Sequence, residues 1–596
     1  MKVVLFLAPA ILTTTLIHGC GGEGSSSTTS SGITVDQAIV AAEVACIKQY
    51  AALPKNHLIN YAAAIGAAEV TDNVHSGLQP CATFTGSMKG NNQVALYQSP
   101  TQYPGGIQIV VQGGPTAAFL LGGSPGTAAS YTGGPYVARF EPLTGAQIWR
   151  TSLPIQTGQW VVAPSMGVIA DGSVVAAIGA TLYKLDPKTG LITDQVQQPI
   201  LGGGNLVDAN LDGFMLSPSS DGSILMKSQN RSNGCKVEGN YAAQNCPGAP
   251  ANLPATTVIA ASPTNLNNLA AITLKTTSGG PLNIAARPAV TNFNGVTYMY
   301  MAGPKTGVRV IWDPSQNTLT QDPTWTPTYL LTGQVQGPAP VVIGNWVMFT
   351  ANGGNSYTTP TCATLVNQAD PKISSYICPW GGVNSLAALN AASPAPNPLL
   401  SSLASANFSA DAENSMIFMY DMLLGGVTAV TLNQTTGALT TAWSRPDWKI
   451  SDYVQSIGPA GSRVLISQYI NQTNSSNPFV NADWNTYNYQ ESVLMVDQAT
   501  GRTLAQSANT GATSQEWMIT PGYGGVLYGL SVGASSGTYT APGHLNIMKV
   551  ASCNGETSAP PQGSLFYGSL TDCSTDYSKL KQPSTSSTAL TVPFTP

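Results

Sequence analysis

Apolar and polar residues alternate over short runs through most of this chain, and Gly, Pro, Asn or Asp breaks each run after a few positions. Period-two alternation marks strands with one buried face. The clearest unit is Thr181–Gly190, TLYKLDPKTG. Leu182 and Leu185 flank Tyr183 and Lys184 in a short strand. Asp186-Pro187-Lys188-Thr189-Gly190 then makes a tight turn, Pro presetting φ and Gly supplying the positive φ that closes it. Leu191-Ile192-Thr193 resumes an extended run. The same strand, turn and strand recur at Ala138–Trp149, Val308–Leu319, Ala429–Trp443 and Val493–Leu504. The copies repeat an Asp/Asn/Glu-x-x-Thr-Gly core, loosest at Asp313, and internal repetition of this kind defines a repeat fold.

From about Ile107 eight units can be marked, beginning near Ile107, Trp160, Gly213, Ala285, Gln336, Ala406, Val454 and Glu516. Asp186 follows Glu141 by 45 residues, close to one four-stranded blade, and the other gaps fit one or two blades. The pattern therefore predicts an all-β chain: an eight-bladed β-propeller of four-stranded antiparallel blades over residues 100–555. Radial blades leave no long exposed strand edge, and each hides its apolar faces only against its neighbours. Ahead of it, Val35–Ala68 carries helical spacing (Ala38, Ala41, Ala42, Ala45, then Ile59, Ala62, Ile65), which Pro54 splits into two helices. Residues 34–85 are expected to form a short helical preface. Residues 556–596 form a C-terminal extension whose Ser/Thr/Pro-rich end, Lys579–Pro596, has the composition of a disordered tail.

Composition narrows the compartment. Only 9% of the 596 residues are charged, the formal net charge is −5, and no Lys/Arg cluster occurs, which excludes a nucleic-acid partner. Residues 1–19 read as a signal peptide, with Lys2 as n-region and Val3–Ile17 as a short, Pro-broken apolar core. Ile17-His18-Gly19-Cys20 resembles the lipobox of bacterial lipoproteins, with Cys20 as the lipidated residue. The alternative is a plain cleaved signal beside a stray Cys. Residues 20–33 then form a Gly/Ser/Thr tether to a membrane, with Gly21 after Cys20 resembling outer-membrane sorting. Nine cysteines less Cys20 leave eight, an even number suited to disulfides in an exported chain. The simplest local pairing is Cys46–Cys81, Cys235–Cys246, Cys362–Cys378 and Cys553–Cys573, among 105 possible connectivities. Zinc fits poorly, because no Cys-x-x-Cys exists and only three His follow Cys20.

The repeat, apolar-Tyr-x-Leu-Asp-x-x-Thr-Gly-x-x-x-Trp, resembles that of the quinoprotein alcohol dehydrogenase-like propellers, the PQQ-repeat superfamily. The resemblance runs from about Ile107 to Ser552 and is strongest at Glu141–Trp149 and Tyr183–Gly190. Trp149 and Trp443 fall near the expected Trp, which in that family docks blade on blade; Ile192 and Leu504 replace it elsewhere. It implies one of two functions. Dehydrogenases of the family hold a quinone and Ca²⁺ on the axis, stacked between a Trp and a vicinal disulfide, with an Asp base. No Cys-Cys pair or matching acid cluster is found here, so PQQ is not expected. Other members carry no cofactor and serve as binding platforms, and the lipobox and tether place the chain nearer to these.

Candidate sites are few. Asp208-Ala-Asn210-Leu-Asp212-Gly213 fits the start of a calcium loop, with alternate oxygen ligands and a Gly at the bend, but Ser219 stands where the twelfth-position acid belongs. The plainer reading is an Asx-rich turn. Gly122–Gly126 and Gly533–Gly537 match a nucleophile-elbow pattern without the following helix. Asp411 and Glu413 are paired acids expected to face solvent, and His57 and His75 are expected on the surface of the helical preface. Trp484, Tyr487 and Tyr489 offer an aromatic loop for a sugar or a partner, or simply packing within a blade. The expected function is an envelope-anchored, non-enzymatic propeller that binds a protein or a carbohydrate; a divergent quinoprotein dehydrogenase is the alternative, and a hydrolase or lyase on the same disc a third possibility.

Overall fold

Alternating short strands closed by tight turns fold as the pattern dictates. In the computed structural model the described residues are 33–553 except 54–63, 69–71, 91, 124–132, 157–158, 160–163, 200, 202–208, 218–220, 231–253, 285, 331–334, 338, 353–360, 380–407, 421–425, 446, 449–453, 474–488, 509, 511–518 and 532–542. They form eight sheets, each an antiparallel blade of a propeller. The innermost strands of blades 1 to 8 are Ile107–Gly114, Ser165–Val168, Ala209–Leu216, Ala289–Phe293, Val341–Ile343, Ser409–Asp411, Gln455–Ile457 and Thr520–Pro521. Successive inner strands touch one another from blade 1 to blade 7, which places them around the axis. Their starts lie within a few residues of the eight positions read from the sequence.

The ring is closed by both ends of the chain. Blade 8 consists of Thr520–Pro521, Val526–Ser531, Gly543–Ser552 and, outermost, Asn92–Tyr103. The last pairing runs from Asn92↔Ser552 to Tyr103↔Gly543. Neither end of the propeller can be removed without opening this sheet.

The repeated turn is what joins neighbouring blades. In blade 2, Asp186 Oδ1 accepts from Lys188 N at 3.0 Å, Thr189 N at 2.7 Å and Thr189 Oγ1 at 2.8 Å, while Gly190 N donates to Asp186 O at 2.9 Å. The carbonyls left pointing outward are taken by blade 1: Trp149 Nε1 donates to Pro187 O at 3.3 Å and Thr151 Oγ1 to Gly190 O at 2.7 Å. Gly190 has φ +75, and a Cβ there would stand 2.7 Å from the Trp149 ring, so Gly is required twice over. Blade 6 repeats the contact on blade 7, with Trp443 Nε1 on Gln498 O at 2.8 Å. Both tryptophans therefore dock as the repeat implies. Trp346 and Trp325 do the same from positions outside the repeat, to Gln434 O at 3.0 Å and Asn367 O at 3.3 Å. In the loosest copy, Asn317 with φ +50 stands where Gly is usual.

Strand direction sorts the connections onto two faces. Turns between first and second, and between third and fourth strands, leave one face, and none exceeds seven residues. From blade 1 to blade 8, every longer connection between strands leaves the other face, up to residues 378–408, while the segment 80–90 that leads from the collar to blade 8 runs on the first. The first is the tight-turn face, the second the long-loop face.

The preface is only partly helical. Helix Gln37–Ala52 is capped by Asp36, whose side chain accepts from Ala38 N, and ends at Leu53, just before Pro54. The second helix expected to reach Ala68 is not seen at Ala64–Ala68, where Gly66 has φ +60 and the backbone bonds sideways to the blades. Among the described residues no helix is long and apolar enough to cross a membrane. Two of the expected disulfides are formed, Cys46–Cys81 and Cys362–Cys378. Cys553 is disulfide-bonded as well; Cys235, Cys246 and Cys573 lie outside the described residues.

Candidate functional site

An inner strand of a propeller has one edge in the sheet and one facing the axis, so its axial N–H groups need partners. Here the chain supplies them itself. Residues 64–68 and 72–79 lie along the inside of the ring as a collar, meeting blades 1 to 7 in chain order. Gln112 N of blade 1 donates to Gly66 O at 2.9 Å, and Val168 N of blade 2 to Ala67 O at 2.7 Å. Asn73 serves two blades, accepting from Leu216 N at 3.0 Å on its side chain and from Val290 N at 2.7 Å on its carbonyl. Val342 N, Ala410 N and Ser456 N then donate to Val74 O, Ser76 O and Gly77 O at 2.9–3.0 Å. Leu78–Gln79 finishes as a parallel strand beside Gln455–Ile457. Blade 8 meets the start of the collar, Tyr523 Oη accepting from Ile65 N at 3.2 Å. A Cβ on Gly66 would stand 2.9 Å from Thr520 Cγ2 and 3.0 Å from Pro521 O, which fixes Gly at that crossing.

The collar is shaped by Asp72. Its Oδ1 accepts from Val74 N at 3.1 Å and Ser76 N at 2.9 Å, and its Oδ2 from the Ser76 hydroxyl. His75, at φ +57, turns inward and is buried, the opposite of the expected surface position. Burial, with the Arg287 charge adding, lowers its pKa to about 3, so the ring is neutral at ordinary pH.

No protein-family model matches this chain, and no curated protein sequence does. Among solved structures it is similar to a quinohemoprotein alcohol dehydrogenase from Comamonas testosteroni, with 11% identity, TM-score 0.48, and coverage of 86% of this chain and 83% of that one. It is similar also to the WD40 domain of SCAP from fission yeast, at 6% identity and TM-score 0.39 over 76% of this chain and 98% of that one. A third is the polysaccharide lyase Uly1, at 10% identity and TM-score 0.34 over 67% and 91%. Likeness this distant carries no substrate or partner across to this chain.

Helix Gln37–Ala52 closes the collar on the tight-turn face. Glu43 Oε1 accepts from Thr83 N at 3.1 Å and Oε2 from Gly524 N at 2.6 Å, the latter in the first turn of blade 8. Burial raises the pKa of this carboxyl, and the Gly524 N–H pulls it partly back. Cys46–Cys81 ties the helix to the end of the collar. Tyr50 donates to Glu413 Oε1 at 2.5 Å, and burial together with that carboxylate pushes its pKa up to about 12. Between the helix and blade 7 lies a cavity of about 400 Å³ walled by Ala42, Cys46, Cys81, Phe84, Met88 and Pro459.

Of the paired acids expected to face solvent, Glu413 is exposed and Asp411 is not. Asp411 is fully buried, its Oδ2 held by Arg463 Nε at 2.9 Å and Gln498 Nε2 at 2.9 Å, with Arg463 reaching Glu413 as well. The cluster links blades 6 and 7 to the helix. Of the residues expected in a calcium loop, Asn210 and Asp212 belong to the inner strand Ala209–Leu216, paired with Gln229 and Lys227, and Gly213 falls where the register shifts. Asp208 lies outside the described residues, as do His57, Ser124–Gly126, Gly533–Gly537, Trp484 and Tyr487. Among the described residues no group of three or more His, Cys, Asp or Glu could hold a metal ion. Sequence reasoning missed Asp72, Asn73, Glu43 and Arg463. For the first three the one available signal was polar residues in a preface otherwise rich in Ala; Arg463, in blade 7, carried none.

Proposed function

We propose that this chain is a non-enzymatic binding module of the cell envelope, anchored through Cys20, that presents the long-loop face of its propeller to a protein or carbohydrate partner. The observation that carries this reading is the collar. It takes up axial N–H groups of seven inner strands, and the helix covers its end, so the chain's own backbone holds the part of the axis where a small ligand could be gripped from several blades. A quinone on the axis fits these residues poorly: the collar takes the inner edges of seven blades, and no two cysteines are adjacent for a stacking platform. Asp72, Glu43 and Asp411 are each engaged by backbone or side-chain donors, which supports structural rather than catalytic roles for them. Loops carried on a rigid scaffold are the usual place for recognition.

The test uses the full chain in two arms. Incubated with PQQ and Ca²⁺, it is expected to retain no quinone and to show no dye-linked oxidation of alcohols or sugars. With a photo-crosslinking residue at Gln156 or Thr328, on the long-loop face, it is expected to give discrete adducts with envelope material, and none from Lys188 or Lys372 on the other face beyond lipid. Quinone-dependent turnover would replace the reading with the dehydrogenase alternative.

A further inference from the structure

The place where the tether joins the propeller fixes which face the membrane sees. Among the described residues the first contacts are those of Ile33, at the end of the tether. Ile33 N donates to Leu143 O at 3.4 Å, in the third turn of blade 1, and its side chain is buried in the apolar cluster that contains Phe140, Tyr528 and Ile547. Lys549 Nζ holds Thr34 O at 2.7 Å, and Val35 packs so closely on Gly524 that a Cβ there would stand 2.6 Å away. Leu143 and Gly524 both belong to turns of the tight-turn face. So do the helix and Ser552, where the last strand ends beside Asn92.

We infer that the propeller hangs with its tight-turn face and helix toward the lipid surface and its long-loop face turned away, resting on the anchoring of Cys20 proposed above. The length of the tether decides this. Gly21–Gly32 is 12 residues, which reach about 40 Å fully extended and about 20 Å as a relaxed Gly/Ser chain. A blade of four strands about 4.8 Å apart plus the channel gives a disc about 25 Å in radius, and strands of five or six residues make it about 20 Å thick. To turn the long-loop face to the bilayer, the tether would have to cross the rim and the full thickness, consuming its relaxed length and more. Hanging from the face at which it attaches costs it nothing. The face nearest the lipid is then the one with short turns and a covered axis, and the surface of variable loops is free for a large partner.

The experiment uses the lipidated full chain in phosphatidylethanolamine/phosphatidylglycerol vesicles that carry a headgroup-bound acceptor dye. A donor dye is placed on an azide-bearing amino acid at Lys188 or Lys372, exposed on the tight-turn face, or at Gln156 or Thr328, exposed on the long-loop face. The two sets lie about one strand length, 20 Å, apart along the axis, and energy transfer is expected to be at least about twofold stronger from Lys188 and Lys372. Equal transfer from both sets, or stronger transfer from Gln156 and Thr328, in protein whose Cys20 lipid is confirmed by mass spectrometry, overturns the orientation and leaves the anchor standing. Absence of lipid on Cys20, with Cys20→Ser fractionating like the parent chain, overturns anchor and orientation together.

Discussion

Arg463 is buried between two acids that the chain places fifty residues before it, and its removal would leave Asp411 charged in a dry site. Breaking such a pair from one side costs about 3–5 kcal/mol, so Arg463→Met is expected to lower stability in urea unfolding by that amount. A loss below about 1 kcal/mol, the range of an exposed pair, would mean that the cluster is solvated. His75 gives a pH signature. Its folded pKa of about 3 lies below the ordinary value near 6.5, so as pH falls the unfolded chain takes the proton first. The stability it permits is complete above about pH 6.5 and is lost at up to about 1.4 kcal/mol per unit on the way down to pH 3. His75→Asn keeps a residue that tolerates positive φ and is expected to flatten that part of the profile. An unchanged slope would assign the pH dependence elsewhere. Neither residue was legible in the sequence. Asp411, at a strand end two residues from an exposed acid, looks solvent-facing when the guanidinium that pairs it in the interior comes from the next blade, and a lone His says nothing of its burial.

Among the elements, the strands and turns were legible and the collar was not. Asp-x-x-Thr-Gly states its own chemistry: the acid caps the turn amides, the Gly takes the positive φ, and both are local in sequence. The described residues of the collar bond across as many as 458 residues of sequence, from Ile65 to Tyr523, and their alanines read as helix because spacing alone cannot show sideways hydrogen bonding. Asn210 and Asp212, expected to open a calcium loop, stand in the strand Ala209–Leu216, a placement set by pairing with Gln229 and Lys227 that local sequence does not show. The melting temperature is accordingly expected to be unchanged by a chelator, and a fall of several degrees would restore a metal at that end of blade 3. Cys46–Cys81 closes a loop over a separation of 35 residues, worth about 4 kcal/mol by loop-closure entropy. Cys46→Ser with Cys81→Ser should lose most of that in denaturant unfolding; a negligible loss would mean that the helix holds the collar without it.

At the scale of the molecule, eight sheets are tied into one ring by two devices that both use the N-terminal part of the chain: Asn92–Tyr103 completes the last blade from outside, and the collar binds seven inner strands from within. The described residues between 33 and 103 thus belong to the propeller as much as any blade does, although the sequence ahead of Asn92 looks like a preface. The blade count and the blade starts were legible because each blade repeats; the closure was not, because it happens once. The pairing of the collar with the inner strands is the central claim, and the reading of the long-loop face as the recognition surface depends on it. The measurement that tests it most directly is backbone amide exchange at Val168, Val290, Val342, Ala410 and Ser456 in the full chain. If the collar is in place, these amides exchange only as slowly as the blade cores, through global opening. Exchange within seconds while the core strands stay protected would show an open axis and contradict the account.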